Sequence, residues 1–200
     1  MRFKYLALGL LISIFSVSAT TLELPLKLSE KTFDFKSNGL EMKLKVPANM
    51  HETYIMNPVL ESYTYSTDEN RLSISLQLIN PSGKTYQEII AGKFQELILK
   101  PFSDKEKQLY GQVDIIRDEH KGIDKTFEYK GFLKKPQDGF TTDLYSMIHE
   151  MILLRHKSII KLNCVVQGRQ NEVNMTQELF KSVENSCDEI LNSLKVKAKK

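Results

Sequence analysis

The sequence predicts an α+β fold: a mainly antiparallel β-sheet packed against two amphipathic helices, one mid-chain and one C-terminal. Three observations lead there. Several segments alternate apolar and polar residues with a period of two and are joined by turns of hairpin length. Two other segments, 85–100 and 175–196, place apolar residues at three- and four-residue steps. The order is strands, helix, strands, helix, so the only large surface on which either helix can bury its stripe is the sheet.

The elements follow in order. Residues 20–32 read as a polar lead-in with some apolar character. Phe33 and Phe35 alternate with polar neighbours, and Asn38-Gly39 offers the positive φ angles of a tight turn. Leu40, Met42, Leu44 and Val46 then alternate with Glu41, Lys43 and Lys45, the pattern of a half-buried strand that Pro47 ends. A second hairpin joins 59–66 to 71–79, where Leu72, Ile74, Leu76 and Leu78 share a face. After Pro81-Ser82-Gly83, Thr85 and Glu88 have the spacing of a capping box. Tyr86, Ile89, Ile90, Phe94, Leu97 and Ile98 form the stripe of the mid-chain helix, and Pro101 stops it. Residues 103–109 are a polar loop.

Strands are predicted at 112–117, 123–132, 140–154 and 159–167, with turns at Lys121-Gly122, at 136–139 and at 155–158. The last helix, from about Met175 to Val196, is capped by Asn174 or Thr176. Leu179, Phe180, Val183, Cys187, Ile190, Leu191 and Leu194 make its buried stripe. The basic tail of residues 195–200 suits the negative end of the helix dipole. No internal repeat or linker interrupts residues 20–200, which read as one domain.

Ahead of that domain, residues 1–19 have the three parts of a secretory signal. Arg2 and Lys4 are positive, the run from Tyr5 to about Phe15 is apolar, and Val17 and Ala19 stand where signal peptidase reads. The run is shorter than the roughly 20 residues of a spanning helix. Cleavage after Ala19 and a periplasmic or secreted location are therefore expected, with no integral membrane segment left. Among the 200 residues, 28 Lys and Arg face 25 Asp and Glu. Removing Arg2 and Lys4 leaves 26 against 25, a net charge of +1, which gives no reason to expect nucleic acid as a partner.

Cys164 shares a strand face with Ile160, Leu162 and Val166, and Cys187 lies on the apolar stripe of the last helix. Both point into one core, so a structural disulfide is geometrically allowed. The alternative is a pair of buried thiols acting as small hydrophobes. An oxidising compartment and two inward-facing cysteines favour the bond.

The search for catalytic chemistry returns little. His149-Glu150 opens like a zinc-protease motif, but Leu153 stands where the second His is required. On a strand the two side chains face opposite ways, and they read as a surface residue beside a core residue. His51, His120 and His156 fall in predicted loops or turns. Asp114, Asp118, Glu119, Asp124 and Glu128 interleave with Arg117, Lys121, Lys125 and Lys130, as on a solvated hairpin. Nucleophile-elbow, phosphate-loop and dinucleotide signatures are absent, and no cofactor or metal is expected. Tyr63, Tyr65, Tyr110, Tyr129 and Tyr145 lie on strands, where they serve a partner surface or, more ordinarily, a core edge. Asn174-Met175-Thr176 fits both a glycosylation sequon and a helix cap.

The opening hairpin 33–46 with Pro47, the strand 71–79 running into the helix 85–100, the late hairpin 147–166 and the closing helix 175–194 together resemble the PsbP-like and DcrB-like families. Those are small, often exported domains with an antiparallel sheet flanked by helices. The resemblance implies a non-catalytic accessory or chaperone-like binder. The expectation is therefore an exported protein that binds another protein in the cell envelope, as an assembly factor, chaperone or toxin-neutralising protein. The rivals are a small-ligand or lipid-binding domain, with Phe94, Ile98 and Tyr145 lining a pocket or partner surface, and a hydrolase with an unfamiliar site built on His149 or His120. Oligomeric state is left open.

Overall fold

The computed structural model describes residues 24–35, 39–67, 71–81, 83–88, 110–121, 124–135, 144–169 and 172–199. The signal-like segment, Phe94 and Ile98 lie outside them. Ten strands and two helices are described: β1 (Leu28–Phe35), β2 (Leu40–Pro47), β3 (His51–Met56), β4 (Leu60–Ser66), β5 (Leu72–Ile79), α1 (Gly83–Glu88), β6 (Tyr110–Lys121), β7 (Asp124–Lys135), β8 (Leu144–Arg155), β9 (Ser158–Arg169), α2 (Val173–Ser193) and β10 (Lys195–Ala198).

They form two sheets where the sequence reading had one. A seven-stranded sheet runs β3-β4-β5-β9-β8-β7-β6, and a three-stranded sheet runs β1-β2-β10. Every pairing is antiparallel. Turn chemistry fixes the registers. Gly39, at φ +59°, enters β2. The Asn57 side chain accepts hydrogen bonds from the backbone N–H of Val59 and Leu60, at 3.0 and 2.8 Å, and so closes the β3–β4 turn. His156 and Lys157 both take positive φ, 51° and 58°, between paired Arg155 and Ser158, which is the two-residue turn that matches strand twist.

One face of the large sheet is covered by the small sheet and α2. Ile74, Leu76, Leu78, Ile160, Leu162, Cys164 and Val166 pack there against Phe33, Phe35, Leu40, Met42 and Leu44, and against Phe180, Val183, Cys187, Ile190 and Leu191. Edge-to-face ring contacts of Tyr63 with Phe33 (4.8 Å) and Phe35 (5.4 Å) seat the small sheet. A disulfide joins Cys164 in β9 to Cys187 in α2, with Cα atoms 5.9 Å apart. The closed loop of 23 residues restricts the unfolded chain by about 3 kcal/mol. On the opposite face lies a smaller cluster of Phe127, Tyr129, Ile152, Leu154 and Ile159.

Several expected boundaries move. The lead-in belongs partly to β1, and the connection 47–58 contains β3. The mid-chain helix begins at Gly83, so Thr85 lies inside its first turn and does not cap it, and only Gly83–Glu88 is described. In α2, Asn174 and Thr176 are likewise inside the helix. Thr176 Oγ1 donates to the Glu172 carbonyl at 2.9 Å, and Glu172 is the N-cap residue. The helix stops at Ser193 because Leu194 turns extended, with ψ 120°. Residues 195–198 then pair with β2, Val196 opposite Met42, instead of prolonging the helix. Lys-Val-Lys-Ala has the period of a strand, and one apolar side chain packs inward on the core.

Candidate binding groove between the sheet and the last helix

Strand register sets the floor of the groove. Asp114, Lys130, His149 and Cys164 are direct cross-strand neighbours on β6, β7, β8 and β9, and so point to one face. Phe132 and Met147 are the next such pair toward the sheet end. Helix spacing sets the roof, because Gln177, Phe180, Lys181 and Glu184 recur at three- and four-residue steps on one side of α2. Between the two lies an open cavity of about 410 Å³. Its apolar lining is Phe132, Met147 and Phe180, and its polar lining is Asp114, Lys130, Gln177, Lys181 and Glu184.

Beyond Lys130 and Glu184 the same layer holds a chain of charges. Lys130 Nζ lies 2.5 Å from Glu184 Oε1 and 3.1 Å from Asp188 Oδ1. Burial disfavours its charge, but hydrogen bonds and attraction from those two carboxylates outweigh that and hold Lys130 above the ordinary lysine range. His149 Nδ1 stands 3.1 Å from the same Asp188 oxygen, and Nε2 stands 2.8 Å from Glu128 Oε1. Glu128 Oε2 in turn lies 3.3 Å from Arg117 Nε. A neutral imidazole has one N–H and can serve only one of its two carboxylates at a time.

Residues 149 and 150 do face opposite sides, but neither is at the surface: His149 and Glu150 are each 2 % exposed. Glu150 faces the other side of the sheet, where it accepts from the Tyr129 hydroxyl at 3.1 Å and lies 3.2 Å from Lys161 Nζ. Glu128, assigned from the sequence to a solvated hairpin, is 3 % exposed, while Asp114, Asp118, Glu119 and Asp124 are exposed. Alternation counts a polar residue as outward, and here both sides of the sheet are covered.

His149 lies between two carboxylates, and no hydroxyl is among the partners described for it. With its side chain 2 % exposed it is sealed from any substrate. His51 stands on β3, His120 on β6 and His156 in a turn. Among the described residues no group of three His, Cys, Asp or Glu is placed to hold a metal ion. No described helix is long and apolar enough to cross a membrane. Of the residues singled out from sequence, Tyr145 comes near the groove, its ring tilted against Phe132 with centroids 5.5 Å apart. Tyr65 and Tyr129 are buried and cannot offer a partner surface. The signal for Phe132, Met147 and Phe180 was present as strand and helix periodicity, but periodicity does not separate a groove wall from a core wall.

No protein-family model matches the chain, and no curated protein matches it in sequence. Solved structures give distant likenesses. The Ran-binding protein Mog1p of Saccharomyces cerevisiae is 11 % identical, with a TM-score of 0.42, over 84 % of this chain and 96 % of that one. LpqN of Mycobacterium tuberculosis, described as involved in cell envelope biogenesis, is 12 % identical, with a TM-score of 0.41, over 84 % and 91 %. A protein of unknown function from Pseudomonas aeruginosa is 11 % identical, with a TM-score of 0.32, over 76 % and 91 %.

Proposed function

We propose that this is an exported, non-catalytic binding protein whose partner is another protein of the cell envelope, gripped through the groove between β7, β8 and α2. The observation that carries the reading is an open cavity with apolar walls whose flanking Lys130 is already engaged by Glu184 and Asp188. Phe132, Met147 and Phe180 offer an apolar seat, while Lys130 is held by both Glu184 and Asp188. Such a site fits an apolar side chain presented by a partner, the kind of buried anchor on which protein interfaces depend. Export is supported by the Cys164–Cys187 bond, since disulfides persist in oxidising compartments, and by the signal-like first 19 residues.

The test immobilises the protein and exposes it to envelope extract beside a Gln177→Trp variant. Gln177 is exposed on the groove wall, so the indole fills the seat without removing a core contact. The expected outcome is a specific protein recovered by the parent and lost by the variant. Recovery of the same protein by both, or of none, overturns the reading.

The cavity volume also falls within the range of small-ligand pockets, about 300–1,000 Å³, which favours a small apolar or lipid ligand as the second reading. Native mass spectrometry of the protein as purified distinguishes it: a bound small molecule displaced by Gln177→Trp supports this second reading over the first.

A further inference from the structure

The two sheets have four edge strands among the described residues, and three of them carry the devices that keep sheets from pairing with other chains. β10 is four residues long and bears Lys195 and Lys197. β1 carries Glu30, Lys31 and Asp34. β6 is interrupted twice, between Tyr110 and Gln112 and between Ile115 and Arg117, and carries Asp114, Arg117, Asp118, Glu119 and Lys121. β3 is different. It pairs with β4 on one side only, without a register break, and no described strand lies on its other side.

All six residues of β3 are exposed. Its sequence, His51-Glu52-Thr53-Tyr54-Ile55-Met56, has no Pro and no Lys, and Glu52 is its only carboxylate. That carboxylate is taken up by Lys31 and by the Tyr65 hydroxyl. Tyr54, Ile55 and Met56 are 43, 53 and 59 % exposed, and Val59 in the following turn is 57 % exposed. An edge with a full row of backbone groups, apolar side chains and almost no charge is a template for another strand.

We infer that β3 pairs antiparallel with β3 of a second copy of this chain, joining the two large sheets edge to edge. Charge selects this occupant. A two-fold axis normal to the sheet allows only registers in which a residue faces itself or one an even number of positions away. With Thr53 opposite Thr53, His51 faces Ile55 and Glu52 faces Tyr54. With Tyr54 opposite Tyr54, Glu52 faces Met56 and Thr53 faces Ile55. Glu52 never meets its own copy in either, and Thr–Thr, aromatic and β-branched cross-strand pairs are favourable. The edge is complementary to itself. Six residues make a short seam, so the dimer is weak and forms with rising concentration.

Sedimentation velocity over roughly 1 µM to 1 mM is expected to show a monomer–dimer equilibrium, and hydrogen exchange to show the β3 amides protected only at the high end. The double variant T53K/I55K places Lys against Lys in either register, at two exposed positions that leave the core untouched. Dimerisation is expected to weaken at least tenfold. T53E/I55E weakens it likewise, and mixing the two variants is expected to restore association. A protein that stays monomeric throughout, or a dimer that T53K/I55K leaves unchanged, overturns the inference, as does a mixture that fails to associate. These outcomes are independent of the groove, because Gln177→Trp leaves the β3 edge intact.

Discussion

Gly168, near the end of β9, lies against the first turn of α2. A Cβ on that residue would stand 2.3 Å from Thr176 Oγ1, about 1 Å inside ordinary contact, with Glu172 Oε2 and Cβ at 3.3 and 3.4 Å. Thr176 cannot step aside freely. It is 3 % exposed, and its hydroxyl holds the Glu172 carbonyl at 2.9 Å. Gly168→Ala must therefore rotate Thr176 and lose a buried hydrogen bond worth about 1 kcal/mol, or push the first turn of α2 off the sheet at an overpacking cost of about 1–3 kcal/mol. A loss of about 2 kcal/mol lowers Tm by roughly 4–8 °C in a chain of this size. Thr176→Ala alone costs about 1 kcal/mol. In the double variant the clash is gone. Because the backbone at Gly168 is not in the left-handed region, the added methyl then restrains the unfolded chain and stabilises by a few tenths to about 1 kcal/mol. G168A/T176A should match or exceed T176A in stability, a coupling of about 2 kcal/mol. Urea and thermal unfolding of the four proteins, followed by circular dichroism, measures it. A G168A loss below about 0.5 kcal/mol, or strictly additive losses, refutes the packing described for this corner.

Two further perturbations probe how α2 is held. His149→Phe leaves Glu128, 4 % exposed at its side chain, with Arg117 but without its imidazole partner; a loss of about 1–3 kcal/mol in chemical unfolding is expected, and H149F/E128M, which removes the buried carboxylate as well, should recover most of it. Glu172 accepts from the Arg169 backbone N–H at 3.0 Å and from Arg71 at 3.0 Å. That backbone hydrogen bond, then the attraction and hydrogen bond of Arg71, hold its carboxyl below 4.5 against a smaller opposing contribution from burial. A depressed folded pKa means stabilisation that is complete above the unfolded value and lost as pH falls through the folded one. The Tm gap between the parent and Glu172→Gln should therefore be constant near neutrality and close below about pH 4.5, and a gap independent of pH down to 2 would show that the carboxylate charge is not what matters.

Much of the strand pattern was legible because one face of these strands is lined by apolar residues that alternate with more polar ones. Leu72, Ile74, Leu76 and Leu78 sit in register with Val166, Cys164, Leu162 and Ile160, and the alternation alone put each set on an inner face. β3 gave no such signal, since exposure on both faces removes the pressure to alternate. Alternation also says which side faces inward, not which strands are neighbours, so β1 and β2 read as part of a single sheet. The tail misled through the length of α2's stripe: a single Val196 weighed little against a run of helix-compatible lysines. Glu128, and the one of His149 and Glu150 read as a surface residue, were misread for one reason. A polar residue on a strand was taken as solvated, whereas a sheet covered on both faces buries polar positions and must pair them.

Those pairings bear on function more than on stability. A buried ion pair is weak evidence for net stabilisation, because removing its charges from water opposes the attraction between them. What it supplies here is position. α2 is fixed at its first turn by Glu172 to Arg71 and Arg169. Along its length it is held by Glu184 and Asp188 to Lys130 and His149, and by the Cys187 disulfide. At its end Ser193 Oγ accepts from the Lys45 backbone N–H at 2.8 Å. A helix tied at so many points along 21 residues presents Gln177, Phe180 and Lys181 at a set height above Phe132 and Met147. The groove is thus formed before anything enters it, which spares a ligand the ordering cost that weakens flexible sites. The same ties engage Lys130, Glu184 and Asp188 with one another, so these side chains are committed to holding α2 over the sheet.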